Sequence, residues 1–164
     1  MKGFGEKMKH SKNLRRISTF PVPFLFEEKQ GKTIISTKNI TNYSTREMIS
    51  EACDFHLQGN ISKAVQCYRN FINQGFKDSR VFFNYATILI GFKELREAEF
   101  YLRKTIEMQP NFAEAYNNLG VILREIGKAN EAEAYADQAI KLKPNYVDAY
   151  LNLGNIYIDL RKFE

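Results

Sequence analysis

The 164-residue chain has two cysteines, two histidines and four prolines. Two cysteines are too few for a small secreted scaffold stapled by disulfides. No apolar run approaches the ~18 residues a membrane-spanning helix needs, so none is expected. The histidines, His10 and His56, have no acid and nucleophile at triad spacing. Gly3-Phe4-Gly5 has no preceding strand and no following Gly-Lys-Ser/Thr, which excludes a phosphate loop. A signal peptide would need a continuous apolar core and a small-residue cleavage site, and the start of the chain has neither. A cytoplasmic protein is expected.

Hydrophobic residues make up 44% and charged residues 26%, a globular composition. The net charge of +5 is unevenly placed. Residues 1–44 hold nine Lys or Arg against three Glu, a net of +6, while residues 45–164 hold fifteen against sixteen, a net of −1. The hint of nucleic-acid binding in a basic chain therefore shrinks to weak contacts through the tail. Residues 1–44 are expected to be a basic, largely disordered tail, because apolar residues in its first part are too sparse for a helical stripe. Its Phe-Pro-Val-Pro-Phe-Leu-Phe run, residues 20–26, is apolar, but Pro21 and Pro23 make it a poor helix. That run reads as a docking segment, as a piece packed loosely on the first repeat, or as a linker.

The body repeats every 34 residues. Glu97, Ala98, Glu99, Tyr101, Ile106, Pro110 and Asn111 recur as Glu131, Ala132, Glu133, Tyr135, Ile140, Pro144 and Asn145. Ala115, Tyr116, Asn118, Leu119, Gly120 and Ile122 recur as Ala149, Tyr150, Asn152, Leu153, Gly154 and Ile156. A weaker match in the same register joins Arg46, Ala52, Ala64, Arg69 and Ile72 to Arg80, Ala86, Ala98, Arg103 and Ile106. The units are 45–78, 79–112, 113–146 and a half-unit, 147–164. Each reads as two helices. Tyr116, Leu119, Gly120 and Leu123 have helical spacing, a turn follows at Gly127-Lys128, and Ala132, Ala136, Ala139 and Ile140 share the next helical face. Pro144 then ends the second helix, since it lacks a donor and clashes one turn back. The small residues Gly120, Ala132 and Gly154 let helix backbones approach closely. Ser44 and Glu47 have capping-box spacing at the front of the array.

These positions resemble the tetratricopeptide repeat family, and the likeness covers residues 45–164. Tyr116, Leu119, Gly120, Ala132, Ala139 and Pro144 carry the pattern in the third unit, and Phe82, Ala98 and Pro110 in the second, where Ala86 stands at the glycine position. Tyr150, Leu153, Gly154 and Tyr157 carry it in the half-unit. The first unit departs from it, with Glu51 at the leucine and Phe76 at the proline position, as an end repeat tolerates. The resemblance implies an all-α right-handed superhelix of helix-turn-helix repeats, about three and a half repeats or seven helices. It also implies a concave groove lined by the first helix of each pair, and binding rather than catalysis.

One column of that groove is Asn84, Asn118 and Asn152, with Asn117 and Asn155 beside it. An asparagine amide both donates and accepts, so a row of them can hold an extended peptide backbone without reading its side chains. The column is similar to the asparagine ladder of O-linked N-acetylglucosamine transferases. The alternative is that asparagine is simply a common polar choice beside a helix core. A second column, Arg46, Arg80, Glu114 and Asp148, runs from basic to acidic, which suits a partner segment of opposing charge order. It also matches ordinary surface variation. Ile49, Cys53, Asn84, Glu114 and Asn118 occupy the five positions at which some family members grip acidic chaperone tails. Only Asn84 fits, so chaperone-tail binding is not expected.

Other chemistry is sparse. Cys53 and His56 share a helix and Cys67 lies on its partner, but a metal site needs three or four converging ligands, and no metal or cofactor is expected. Glu97/Glu99 and Glu131/Glu133 resemble carboxylate pairs, yet they begin helices, where negative charge suits the dipole. Phe163 and Glu164 fall where a second helix of the half-unit should start, so Tyr150, Leu153, Tyr157 and Leu160 form an open end suited to self-association or to a partner. The expected function is a non-catalytic interaction scaffold that binds peptide segments of protein partners. The alternative is the recognition part of a truncated or split repeat-linked transferase acting on sugars, sulfate or methyl groups.

Overall fold

The computed structural model describes residues 44–161. They hold seven α-helices and, among the described residues, no strand. Of the expected tail, residues 1–43, including 20–26, lie outside the described residues. The helices are α1 Thr45–Leu57, α2 Ile61–Asn73, α3 Ser79–Gly91, α4 Leu95–Met108, α5 Ala113–Glu125, α6 Ala129–Leu142 and α7 Val147–Leu160. Residues 44–77 and 78–161 fall in two compact units.

In the first unit, Ser44 caps α1 as its spacing with Glu47 predicts. Ser44 Oγ accepts from the Glu47 amide at 3.3 Å, and the Glu47 carboxylate accepts from the Ser44 amide at 2.7 Å. α1 packs on α2 through Ile49, Ala52 and Cys53 against Ala64, Val65, Tyr68 and Phe71, all buried. Phe76, at the family's proline position, stacks on Phe71 with ring centroids 5.3 Å apart.

In the second unit, α3 packs on α4 and α5 on α6, and each pair meets the next. The first helices also touch in a row, α3 to α5 and α5 to α7. α3 is buried without interruption from Val81 to Ile90, and Phe83 stacks on Phe112 at 4.6 Å. The second helices stop where the prolines require it. Gln109 and Lys143, the residues before Pro110 and Pro144, adopt φ −139°, ψ 83° and φ −140°, ψ 86°. Proline's ring forces its predecessor out of the helical region in this way.

The turn between the two helices of a repeat has its own period. Gly59, Lys93, Gly127 and Arg161, spaced 34 apart, all have left-handed backbones, with φ of 72°, 61°, 80° and 54°. The first three close identical caps. The amides of Asn60, Glu94 and Lys128 donate to the carbonyls of Phe55, Leu89 and Leu123 at 2.8–3.0 Å. Glycine adopts this conformation freely, whereas Lys93 and Arg161 adopt it against the steric cost of a Cβ.

Candidate functional site

The candidate residues on the first helices divide by environment. Asn84 on α3, Asn118 on α5 and Asn152 on α7 are 1%, 1% and 5% exposed, and Asn117 is buried beside Asn118. Asn155 and, in the first unit, Arg46 are exposed. Arg80, Glu114 and Asp148 are half-buried at helix starts.

The asparagines are not equivalent. Asn152 reaches from α7 to α5, with Nδ2 3.5 Å from both the backbone carbonyl and the side-chain Oδ1 of Asn117. These are long contacts, at the outer limit of hydrogen bonding. They form because Gly120 has no side chain: a Cβ there would lie 3.1 Å from Asn152 Nδ2. One repeat earlier, the positions matching Asn117 and Gly120 hold Phe83 and Ala86. The Phe83 side chain has no acceptor to offer, and both side-chain polar atoms of Asn118 are buried without a hydrogen-bond partner. A buried amide in that condition forgoes about 1–3 kcal/mol until a bonding group reaches it.

The charged column is partly neutralised within the chain. The Arg80 guanidinium grips Asp78, the N-cap of α3, through Nη2–Oδ2 at 2.6 Å and Nε–Oδ1 at 3.0 Å. Burial pushes the Asp78 carboxyl upward, but the Arg80 bonds and charge outweigh it and hold the group below its usual range. Glu114 is paired with Lys143 at 2.8 Å, and the same ammonium lies 4.8 Å from the centre of the Tyr146 ring. Sequence reasoning picked out Glu114 without its partner. Lys143 lies 29 residues on, on the segment after α6, where only the fold brings it back to α5.

The carboxylate pairs that begin the second helices have structural partners. Glu97 accepts from the Tyr85 hydroxyl at 3.2 Å, and Glu99 accepts from Arg103 at 2.8 and 2.9 Å. Arg103 in turn donates to the Tyr135 hydroxyl at 2.9 Å, tying α4 to α6. Near Cys53 and His56 the neighbour is Tyr68, whose hydroxyl lies 3.8 Å from Cys53 Sγ and 3.4 Å from His56 Nδ1. Burial, with Glu51 nearby, pushes the Cys67 thiol up, away from reactive thiolate. Among the described residues no three His, Cys, Asp or Glu side chains converge as metal ligands, and no helix is long and apolar enough to cross a membrane.

Three sequence models, each described as a tetratricopeptide repeat, match residues 79–112, 101–134 and 123–164. Together they run from 79 to 164, more than half of the chain, and one coincides with the α3–α4 pair. The chain belongs to the tetratricopeptide repeat family. Solved structures agree at the level of fold. The first tetratricopeptide domain of Spaghetti (RPAP3), bound to the HSP90 peptide SRMEEVD, is 19% identical, with a TM-score of 0.67 over 74% of this chain and 97% of that one. YrrB, described as a tetratricopeptide protein with an unusual peptide-binding site, is 20% identical, with a TM-score of 0.67 over 74% of this chain and 62% of that one. MamA is 18% identical, with a TM-score of 0.66 over 71% and 68%. No curated protein matches the sequence. Tetratricopeptide repeats are, as a rule, interaction modules, and two of these neighbours are described by their peptide binding.

Proposed function

We propose that this tetratricopeptide protein is a non-catalytic adaptor that holds an extended segment of a protein partner by its main chain, along the first helices α3, α5 and α7. The observation that carries this reading is Asn118. Its amide is buried, donates to nothing and accepts from nothing, and stands midway in a row with Asn84 and Asn152. An amide already withdrawn from water loses little further solvation when a peptide group bonds to it, so the bond contributes more than one made at an open surface. The neighbours described by their peptide binding support the same use of the fold.

Side-chain charge has a smaller part in this reading. Arg80 and Glu114 are engaged by Asp78 and Lys143, so opposing charges on a partner compete with those pairs. Backbone recognition therefore dominates. Peptides selected on the immobilised chain are expected to tolerate scrambling of their sequence but not N-methylation of their backbone. Combined Asn84→Ala, Asn118→Ala and Asn152→Ala changes should weaken them by about 1.5–4.5 kcal/mol, at ~0.5–1.5 per lost bond. Selected peptides whose affinity survives backbone N-methylation would refute the proposal.

A further inference from the structure

Asn118 and Asn152 hold matching places in the row, yet they offer a partner different groups. Asn152 spends its donor inside the chain, with Nδ2 3.5 Å from both the Asn117 carbonyl oxygen and Asn117 Oδ1. A main-chain carbonyl can only accept, so it decides which end of the Asn152 amide faces α5, and that end is the nitrogen. Oδ1 is left at the other apex of the amide plane. Among the described residues nothing donates to it, and, unlike the two side-chain polar atoms of Asn118, it is not closed off from solvent.

Asn118 is under no such constraint. Ala86 carries a Cβ where Gly120 has none, and a Cβ on Gly120 would stand 3.1 Å from Asn152 Nδ2. The approach that Gly120 opens to Asn152 is therefore occupied one repeat earlier, and the Phe83 side chain there cannot accept. Both ends of the Asn118 amide stay uncommitted.

We propose, resting on the main-chain reading above, that Asn117 is a positioning residue that makes Asn152 an acceptor-only contact. The partner segment must then present a main-chain N–H at the residue it sets against Asn152. Proline has no N–H and is excluded from that residue. Asn118 takes an N–H, a C=O or both, so a proline is tolerated where its amide donates to a carbonyl. Because the Asn152 amide is turned outward before the partner arrives, little freedom is lost when the bond forms.

The test compares one selected peptide with its single amide-to-ester variants, each of which replaces one N–H by oxygen, on the full chain. One ester should weaken binding about 2- to 12-fold, the loss of a single hydrogen bond. Asn152→Ala should remove the sensitivity at that position and leave it at the others. Asn117→Leu should reduce it at the same position, whereas Asn117→Asp, which keeps both acceptors, should retain it. Phe83 and Leu151 occupy the matching positions of α3 and α7, so an apolar side chain suits this register, and circular dichroism of each variant checks its folding. If Asn117→Leu weakens all the peptides alike and leaves the ester profile unchanged, Asn117 serves the fold alone and the proposal is overturned. An ester profile in which no position depends on Asn152 overturns it as well. A peptide insensitive to every ester overturns the main-chain reading itself, and this inference with it.

Discussion

Asn152 of α7 occupies the space that a side chain on Gly120 of α5 would need. A Cβ on Gly120 would sit 3.1 Å from Asn152 Nδ2 and 3.3 Å from the Ala132 carbonyl oxygen of α6, so three helices converge on one missing methyl group. Gly154 holds the corresponding place in α7 with open space around it. Gly120→Leu is expected to cost about 1–3 kcal/mol through overpacking. Gly154→Ala should instead stabilise the chain by about 0.5–1 kcal/mol, because it removes a glycine from a helix interior. Urea denaturation of the two variants at equal, low concentration checks the opposite signs.

Lys93 is the residue that the turn geometry suits least. Lys93→Gly should stabilise the chain by up to about 1 kcal/mol, since glycine adopts φ 61° without steric cost. The change also removes the exposed pair of Lys93 with Glu125 at 2.7 Å, which contributes between about 0 and 1 kcal/mol. Adding salt screens that pair and leaves the backbone effect, so the gain from Lys93→Gly should grow with ionic strength in thermal melts. Gly127→Lys should lower stability.

His56 makes the fold sensitive to acid. Burial holds its pKa down at about 4, against 6.5 for the free side chain. The unfolded chain therefore takes up a proton on His56 at a higher pH than the folded chain does. Stability from this group is complete above pH 6.5, falls as the pH drops from there, and levels below pH 4. The loss is on the order of 1–3 kcal/mol. His56→Gln should flatten this part of the stability profile, and a full slope retained in that variant would assign it to other groups.

Asn118→Leu separates folding from binding. An amide without partners is replaced by an apolar group of similar size, so stability should hold or rise by about 1 kcal/mol. Affinity for selected peptides should fall. Calorimetric melting and peptide titration of one protein sample measure both, and a parallel loss of stability and affinity would mean that Asn118 serves the fold alone.

The helical repeat was legible because its period acts through size and shape. Aromatic, small and proline residues return every 34 positions, and each return has a packing cause, such as Gly120 beneath α6 or Pro144 after it. Polar positions were less legible. Asn118 and Asn152 look alike in sequence, yet their partners depend on whether Phe83 or Asn117 lies beneath them. Likewise, Arg80 and Glu114 read as surface charges because Asp78 and Lys143 become partners only through a capped helix start and a chain reversal. A left-handed Lys93 leaves no trace in composition, and only its place in the series of Gly59 and Gly127 identifies it.

The position of α5 sets the order in which this unit opens. It touches α3, α4, α6 and α7, and Leu119, Ile122 and Leu123 are closed off from solvent on it. In hydrogen exchange its central amides should be the last to take up deuterium, at the pace of unfolding of the whole unit. α7, bare along one side, should release its amides earlier through fraying that leaves the rest intact. Within residues 78–161, proteases acting on the native chain would then trim the α7 end first, and α5 would persist in the longest-lived fragment.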